Sequence, residues 1–81
     1  MRMLDEISDR KLDRVTLYLT RAEAQELRDS LGSILVNPRG NHAHVSSQDY
    51  RKELTVCIYD DATLDEHGFN ERSKKLIKED V

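Results

Sequence analysis

Two stretches of alternating polar and apolar residues, joined by a polar connection, constrain the fold of this chain more than any other feature. His42–Ser46 and residues 52–59 both alternate with a period of two, which is typical of strands with one buried face. Their apolar side chains are Ala43, Val45, Leu54, Val56 and Ile58. Residues 47–51 between them are polar, so we expect two neighbouring strands that share an apolar face.

A third alternating stretch, residues 15–20, runs directly into a helix signal. Val15, Leu17 and Leu19 fall on one side of it, and Thr16, Tyr18 and Thr20 on the other. Thr20 and Glu23 have the spacing of a capping box, in which each residue's side chain accepts the other's amide. A helix is therefore expected to begin at Arg21 and to end before Pro38, because proline disfavours a helical residue before it. Its apolar stripe comprises Ala24, Leu27, Leu31, Ile34 and Leu35.

The order of these elements predicts an α+β fold with the sequence β-α-β-β-α. The chain has 81 residues, which favours one domain. The third strand is the most apolar, and a β-α-β connection prefers a right-handed crossover. We therefore expect a three-stranded mixed sheet in the order 1-3-2, with the main helix on one face.

The N-terminal end of the chain is expected to be flexible and the C-terminal end to be helical. Residues 1–12 are mostly charged and predict a flexible lead-in, while residues 14–60 hold the core. Asn70 can cap a final helix over about residues 70–79. Glu71 in its first turn and lysines later suit the helix dipole.

The face of the sheet that the main helix does not cover is the unusual surface of the predicted fold. Alternation places Tyr18, His42, His44, Cys57 and Tyr59 on it, together with Thr16, Ser46 and Thr55. Aromatic side chains that are partly polar favour interfaces, so we interpret these five residues as a partner-binding surface. A core of this size is marginal, and a second copy of the chain would cover the face most simply. The alternative is that the last helix of the same chain packs there.

His42 and His44 support a second hypothesis, a small metal- or ligand-binding protein. On a strand both imidazoles project to the same side, and Cys57 from the next strand could complete a zinc site. Otherwise these are strand histidines hydrogen-bonded to neighbours. Cys57 beside His44 lacks an orienting third group, so we expect no catalytic residue and no other cofactor.

Charge and composition narrow the partner class. The net charge is −3 and the pI is about 5.5, which does not give the basic footprint of a nucleic-acid-binding protein. No apolar run approaches the roughly 18 residues of a membrane span, and the first residues lack the apolar region of a signal peptide. One cysteine excludes an intramolecular disulfide. We therefore expect a cytoplasmic protein.

Three segments, LYLTRAEAQELRDSL, NHAHVSS and KELTVCIYD, resemble small uncharacterised bacterial domains. In these domains a strand enters a T-x-x-E-A-x-x-L helix, followed by an H-x-H strand and a T-V-x-I-Y strand. The chain is similar in particular to predicted immunity proteins of polymorphic toxin systems, of the Imm32 type, over roughly residues 14–60. The resemblance implies a protein that binds and blocks a cognate bacterial toxin and has no catalysis of its own.

Overall fold

A computed structural model describes residues 1–37, 40–66 and 68–81 of the chain. Its elements are β1 (Met3–Asp5), β2 (Arg10–Leu12), α1 (Arg21–Val36), β3 (His42–Ser46), β4 (Glu53–Cys57), a 3-10 helix (Asp61–Glu66) and α2 (Glu71–Glu79). They fall into two compact units. The central unit comprises Tyr18–Asp60, and the terminal unit comprises Met1–Leu17 with Asp61–Val81.

Helix α1 of the central unit has the boundaries that its sequence predicts. The Thr20 hydroxyl accepts the Glu23 amide at 3.1 Å, and the Glu23 carboxylate accepts the Thr20 amide at 2.8 Å. This completes the predicted capping box. At the other end Asn37 is extended and its amide donates to the Ser33 carbonyl, so the helix ends at Val36.

Strands β3 and β4 form an antiparallel pair, with His42 opposite Cys57, Val45 opposite Leu54 and Ser46 opposite Glu53. Residues opposite each other in such a pair share a face. Helix α1 packs on β3, and Val45 beneath it is buried. The predicted hairpin is therefore confirmed, although β4 is shorter than the predicted strand over residues 52–59.

The predicted three-stranded sheet of order 1-3-2 is wrong. The described residues form two separate two-stranded antiparallel sheets, β1–β2 and β3–β4. Residues 15–20 form no strand, and Val15, Leu17 and Leu19 are exposed. Alternation gave these residues a strand-like pattern, but a strand also needs a neighbouring strand to pair with. The short β1–β2 loop closes with little loss of chain entropy, and the same holds for the β3–β4 loop.

The terminal unit places strands in the segment that was expected to be flexible. Strands β1 and β2 pair with Met3 opposite Leu12 and Asp5 opposite Arg10. The Asp5 carboxylate accepts the amides of Ile7 and Ser8 and the Ser8 hydroxyl, which shapes the loop between the strands. The hydroxyl of Ser8, followed by the two amides, lowers the pKa of Asp5.

Helix α2 is capped as expected, because the Asn70 side chain accepts the Ser73 amide at 2.8 Å. The Arg72 guanidinium donates to the Asp9 carboxylate at 2.8 Å, to the Asp9 carbonyl at 3.3 Å and to the Val81 carbonyl at 2.7 Å. One arginine thus joins the β1–β2 loop to the C-terminal residue within the terminal unit.

The apolar core is small in both units. Among the described residues, the buried apolar side chains are Ile34 and Val45 in the central unit and Leu64 and Leu76 in the terminal unit. None of the described side chains is fully enclosed. Much apolar surface therefore stays in contact with solvent, and it contains the first of the candidate sites.

Candidate functional site

The apolar stripe of α1 is only half covered. At 3.6 residues per turn, Glu23 and Ile34 lie about 20–40° to one side of Leu27, and Ala24, Leu31 and Leu35 lie about 40–80° to the other. Ile34 is 9% exposed, whereas Leu31 is 38% exposed and Leu35 is 72% exposed. The hairpin therefore meets one edge of the stripe. The remaining part, Ala24, Leu31 and Leu35, is called the open stripe below.

The open stripe continues to the C-terminal end of α1. Val36, the last residue of the helix, is also exposed. Arg28 borders the open stripe next to Leu35 and forms an exposed ion pair with Asp29 at 3.1 Å. Val36 points about 100° away from Leu35 around the helix, so a neighbour on the open stripe would meet two large apolar side chains, Leu31 and Leu35. Contiguous exposed apolar surface of this kind marks interaction sites.

The opposite face of the hairpin carries the histidines, as alternation predicts. His42, His44 and Ser46 share this face with Glu53, Thr55 and Cys57 of β4. The two imidazole rings are exposed, with centroids 5.4 Å apart and planes at 75°. His44 Nδ1 lies 2.8 Å from Thr55 Oγ1 and 2.9 Å from Glu53 Oε1. This surface is called the histidine face below.

The five residues predicted to bind a partner do not form one strand-built surface. His42, His44 and Cys57 lie on the histidine face, with Cys57 opposite His42. Tyr18 is exposed but precedes α1 outside any strand, and Tyr59 is half-buried beyond the end of β4. Within the described residues, no group of three or more His, Cys, Asp or Glu side chains is arranged to hold a metal ion. The remaining histidine, His67, lies outside the described residues.

The tip of the β3–β4 hairpin is a feature that the sequence interpretation missed. Tyr50 is exposed there with φ of 60°, a conformation that bulky side chains rarely adopt. Its amide donates to the Ser47 carbonyl, and the Ser47 hydroxyl and the Arg51 amide both donate to Asp49. These two donors, the hydroxyl first, lower the pKa of Asp49. The S-x-D spacing at residues 47–49 was the available signal for a structured turn.

The hairpin tip is fixed to the start of α1 by Glu23. Glu23 Oε2 accepts the Gln48 amide at 2.8 Å, while Oε1 accepts the Thr20 amide. The Thr20 amide and then the Gln48 amide lower the pKa of Glu23. The helix and the tip of the hairpin are thus held together by one anion.

An open groove of about 620 Å³ runs between α1 and β3. Its lining combines polar and apolar surface, and it includes Glu26, Asp29, Ser30 and Ser33 from the helix, with His42 at the strand side. Glu26 and Asp29 are exposed carboxylates, and Asp29 forms the ion pair with Arg28. The groove differs from the enclosed, largely apolar pockets that usually bind small molecules.

No protein-family model matches the chain, and searches of curated proteins and of solved structures found no significant match either. None of the helices in the described part of the chain has the length and apolar character needed to cross a membrane. The open stripe and the histidine face are therefore the candidate interaction surfaces of the chain.

Proposed function

We propose that the chain is a non-enzymatic protein-interaction module that forms a homodimer through the open stripe. The observation that carries this proposal is the unequal burial along α1, with Ile34 covered and Leu35 72% exposed. Helices normally bury their whole apolar stripe, because its transfer from water is the main source of their stability. An uncovered half of a stripe favours a second protein surface.

A second copy is the occupant that best fits this surface. Leu31 and Leu35 are one turn apart, so two copies of α1 crossing about a two-fold axis would pack these leucines against each other. Among its described residues, each central unit has two buried apolar side chains, Ile34 and Val45. Burying Leu31 and Leu35 of the open stripe would therefore add substantially to a core of this size.

The class of a further partner is suggested by the resemblance to immunity proteins. In that case the interaction module would bind a bacterial toxin in a cytoplasmic setting, without nucleic acid or membrane. The exposed Cys57, which is in no disulfide, is compatible with a reducing compartment. Co-expression with the product of a neighbouring toxin gene, followed by co-purification, tests this extension separately from dimer formation.

The mass in solution tests the dimer directly. Light scattering coupled to size-exclusion chromatography is expected to give twice the mass of 9.4 kDa. Leu35→Glu should give the single-chain mass, because a carboxylate cannot be buried in an apolar interface without a partner. Gln25→Glu, an equal gain of charge at an exposed position of the same helix, is the matched control and should remain dimeric.

A wild-type chain that stays monomeric up to millimolar concentration would rule out the homodimer. A dimer that Leu35→Glu leaves unchanged would place the interface elsewhere. Circular dichroism of both variants confirms that α1 is still formed, so that loss of the dimer is not mistaken for unfolding.

A further inference from the structure

The two imidazoles on the histidine face are held in one orientation by their neighbours. His44 Nδ1 is 2.9 Å from a carboxylate oxygen of Glu53, and an ionised carboxylate only accepts hydrogen bonds. This contact favours the tautomer with the proton on Nδ1, which leaves the lone pair of the neutral ring on Nε2. The Thr55 hydroxyl at 2.8 Å fixes the same edge of the ring.

His42 is oriented in the same way, although less tightly. Its Nδ1 lies 3.3 Å from the side-chain oxygen of Asn41, an acceptor, so Nε2 again holds the lone pair. Neither Nε2 has a hydrogen-bond partner among the described residues. Metal-binding histidines typically donate the proton of one ring nitrogen to such an acceptor while the other nitrogen binds the ion.

The spacing of the two rings fits a shared ion. In a tetrahedral zinc site each nitrogen lies about 2.0–2.1 Å from the metal, which places two imidazole centroids roughly 5.2 Å apart. The centroids of His42 and His44 are 5.4 Å apart, with the ring planes at 75°. Both rings are exposed, so an ion and its water ligands can reach them.

We propose that Nε2 of His42 and Nε2 of His44 are the two protein ligands of a site for one divalent transition-metal ion. The ions expected to bind are Zn²⁺, Cu²⁺ and Ni²⁺. Imidazole nitrogen suits these ions, whereas Mg²⁺ and Ca²⁺ need oxygen ligands. Water completes the coordination. The site uses the histidine face of the hairpin and the homodimer proposed above uses the open stripe of α1, so the two proposals are tested separately.

Cys57 is not required for this site. It lies opposite His42 on the neighbouring strand, but it forms no metal-binding group of three within the described residues. Cys57→Ser is therefore expected to keep the affinity within twofold. A tenfold loss of affinity in this variant would show that the thiolate of Cys57 is a third ligand beside the two imidazoles.

Calorimetric titration of the full chain with Zn²⁺ tests the site. One ion should bind per chain, and His42→Ala and His44→Ala should each weaken binding at least tenfold. Gln48→Ala is the control, because it changes an exposed side chain of the same hairpin that is not part of the histidine face, and it should leave the affinity unchanged. Glu53→Ala removes the acceptor that orients His44 and should weaken binding about tenfold, as losses of such partners do.

Nitrogen NMR supplies a readout that does not depend on folding stability. In the metal-free protein at neutral pH, His44 should show its proton on Nδ1, and Zn²⁺ should shift Nε2 of both rings. Binding that survives in the double variant, no binding at millimolar Zn²⁺, or equal binding of Mg²⁺ would each overturn the site.

Discussion

At the scale of single residues, Glu23 makes the strongest set of contacts in the central unit. It is the charged residue that is buried among those described, and its two carboxylate oxygens accept amides from different segments, Thr20 and Gln48. Both amides bind the ionised form better than the protonated form, so the pKa of Glu23 is lowered. Protonation must therefore weaken the folded state.

A dependence of stability on pH follows from this lowered pKa. The contribution of Glu23 is fully present above the ordinary glutamate pKa of about 4.3, and it is lost as the pH falls through the lower folded value. Glu23→Gln should reduce the urea midpoint at pH 7 and flatten its fall between pH 5 and pH 3. Glu26→Gln, at an exposed position of the same helix, is the control and should keep the wild-type slope.

Because Asp5 and Asp49 also have lowered pKa values, the wild-type chain should lose stability in acid from several groups at once. Only the difference between Glu23→Gln and the control reports on Glu23. Parallel pH curves for the two variants would show that this carboxylate does not hold the hairpin tip.

Tyr50 is expected to oppose folding through its backbone. Its φ of 60° is unfavourable for a side chain with a Cβ, by about 1–2 kcal/mol. Tyr50→Gly should therefore raise the free energy of unfolding by about 1 kcal/mol, measured in urea. Tyr50→Ala keeps the Cβ and should show no gain. An equal gain in both variants would trace the effect to the loss of the exposed ring instead.

At the scale of elements, α1 should respond very differently to changes at adjacent positions. Ile34→Ala removes buried methyl groups and should lower the free energy of unfolding by about 2–3 kcal/mol. Leu35→Ala changes an exposed side chain, and in dilute, monomeric protein its effect should stay within about 0.5 kcal/mol. Chemical denaturation at micromolar concentration compares them. Similar losses would mean that the open stripe is covered within a single chain.

The arginine of α2 should not be replaceable by lysine. Arg72 reaches three oxygens of Asp9 and Val81 with a planar guanidinium, which the single ammonium of lysine cannot match. Arg72→Lys should therefore destabilise the terminal unit by about 1 kcal/mol. Arg10→Lys, at an exposed position of β2, serves as the control. Because the chain has no tryptophan, unfolding is best followed by circular dichroism at 222 nm.

The elements that sequence predicted correctly are those defined by local signals. The Thr20–Glu23 capping box, the stop before Pro38 and the alternation of β3 and β4 act over a few residues and need no knowledge of the rest of the fold. Residues 15–20 show the limit of such signals, because their alternation does not specify which strand would pair with them. Strands β1 and β2 have only three residues each, too short for any period to appear.

The same distinction holds for the candidate sites. The H-x-H pattern places His42 and His44 on one face, and the structure has them there. Their orientation depends on Glu53 and Thr55 of β4, which only the strand register brings close to His44. The open stripe could not be predicted either, since the sequence gives the width of an apolar stripe but not the angle at which the sheet meets it.

At the scale of the whole molecule, folding should be coupled to association. The described residues include two buried apolar side chains in each unit, so a single chain has little stability to lose. A ligand that binds only the folded form raises stability by mass action. The second copy acts as such a ligand. The urea midpoint should therefore rise with protein concentration between 1 μM and 100 μM.

Leu35→Glu should remove this dependence on concentration while leaving the midpoint at 1 μM nearly unchanged, because the exposed side chain contributes little to the isolated chain. Gln25→Glu should behave like the wild type. A midpoint that is constant for the wild-type chain over the whole range would contradict the coupling.

The bond from Glu23 to the hairpin tip also has a kinetic meaning. The capping contact with Thr20 spans 3 residues, whereas the contact with Gln48 spans 25. The contact over 3 residues can form as soon as the first turn of the helix forms. The contact over 25 residues requires closure of the chain between Glu23 and Gln48, so it forms later. Loss of the Gln48 bond should therefore act mostly on the rate of opening, so this one carboxylate oxygen helps to set the lifetime of the native state.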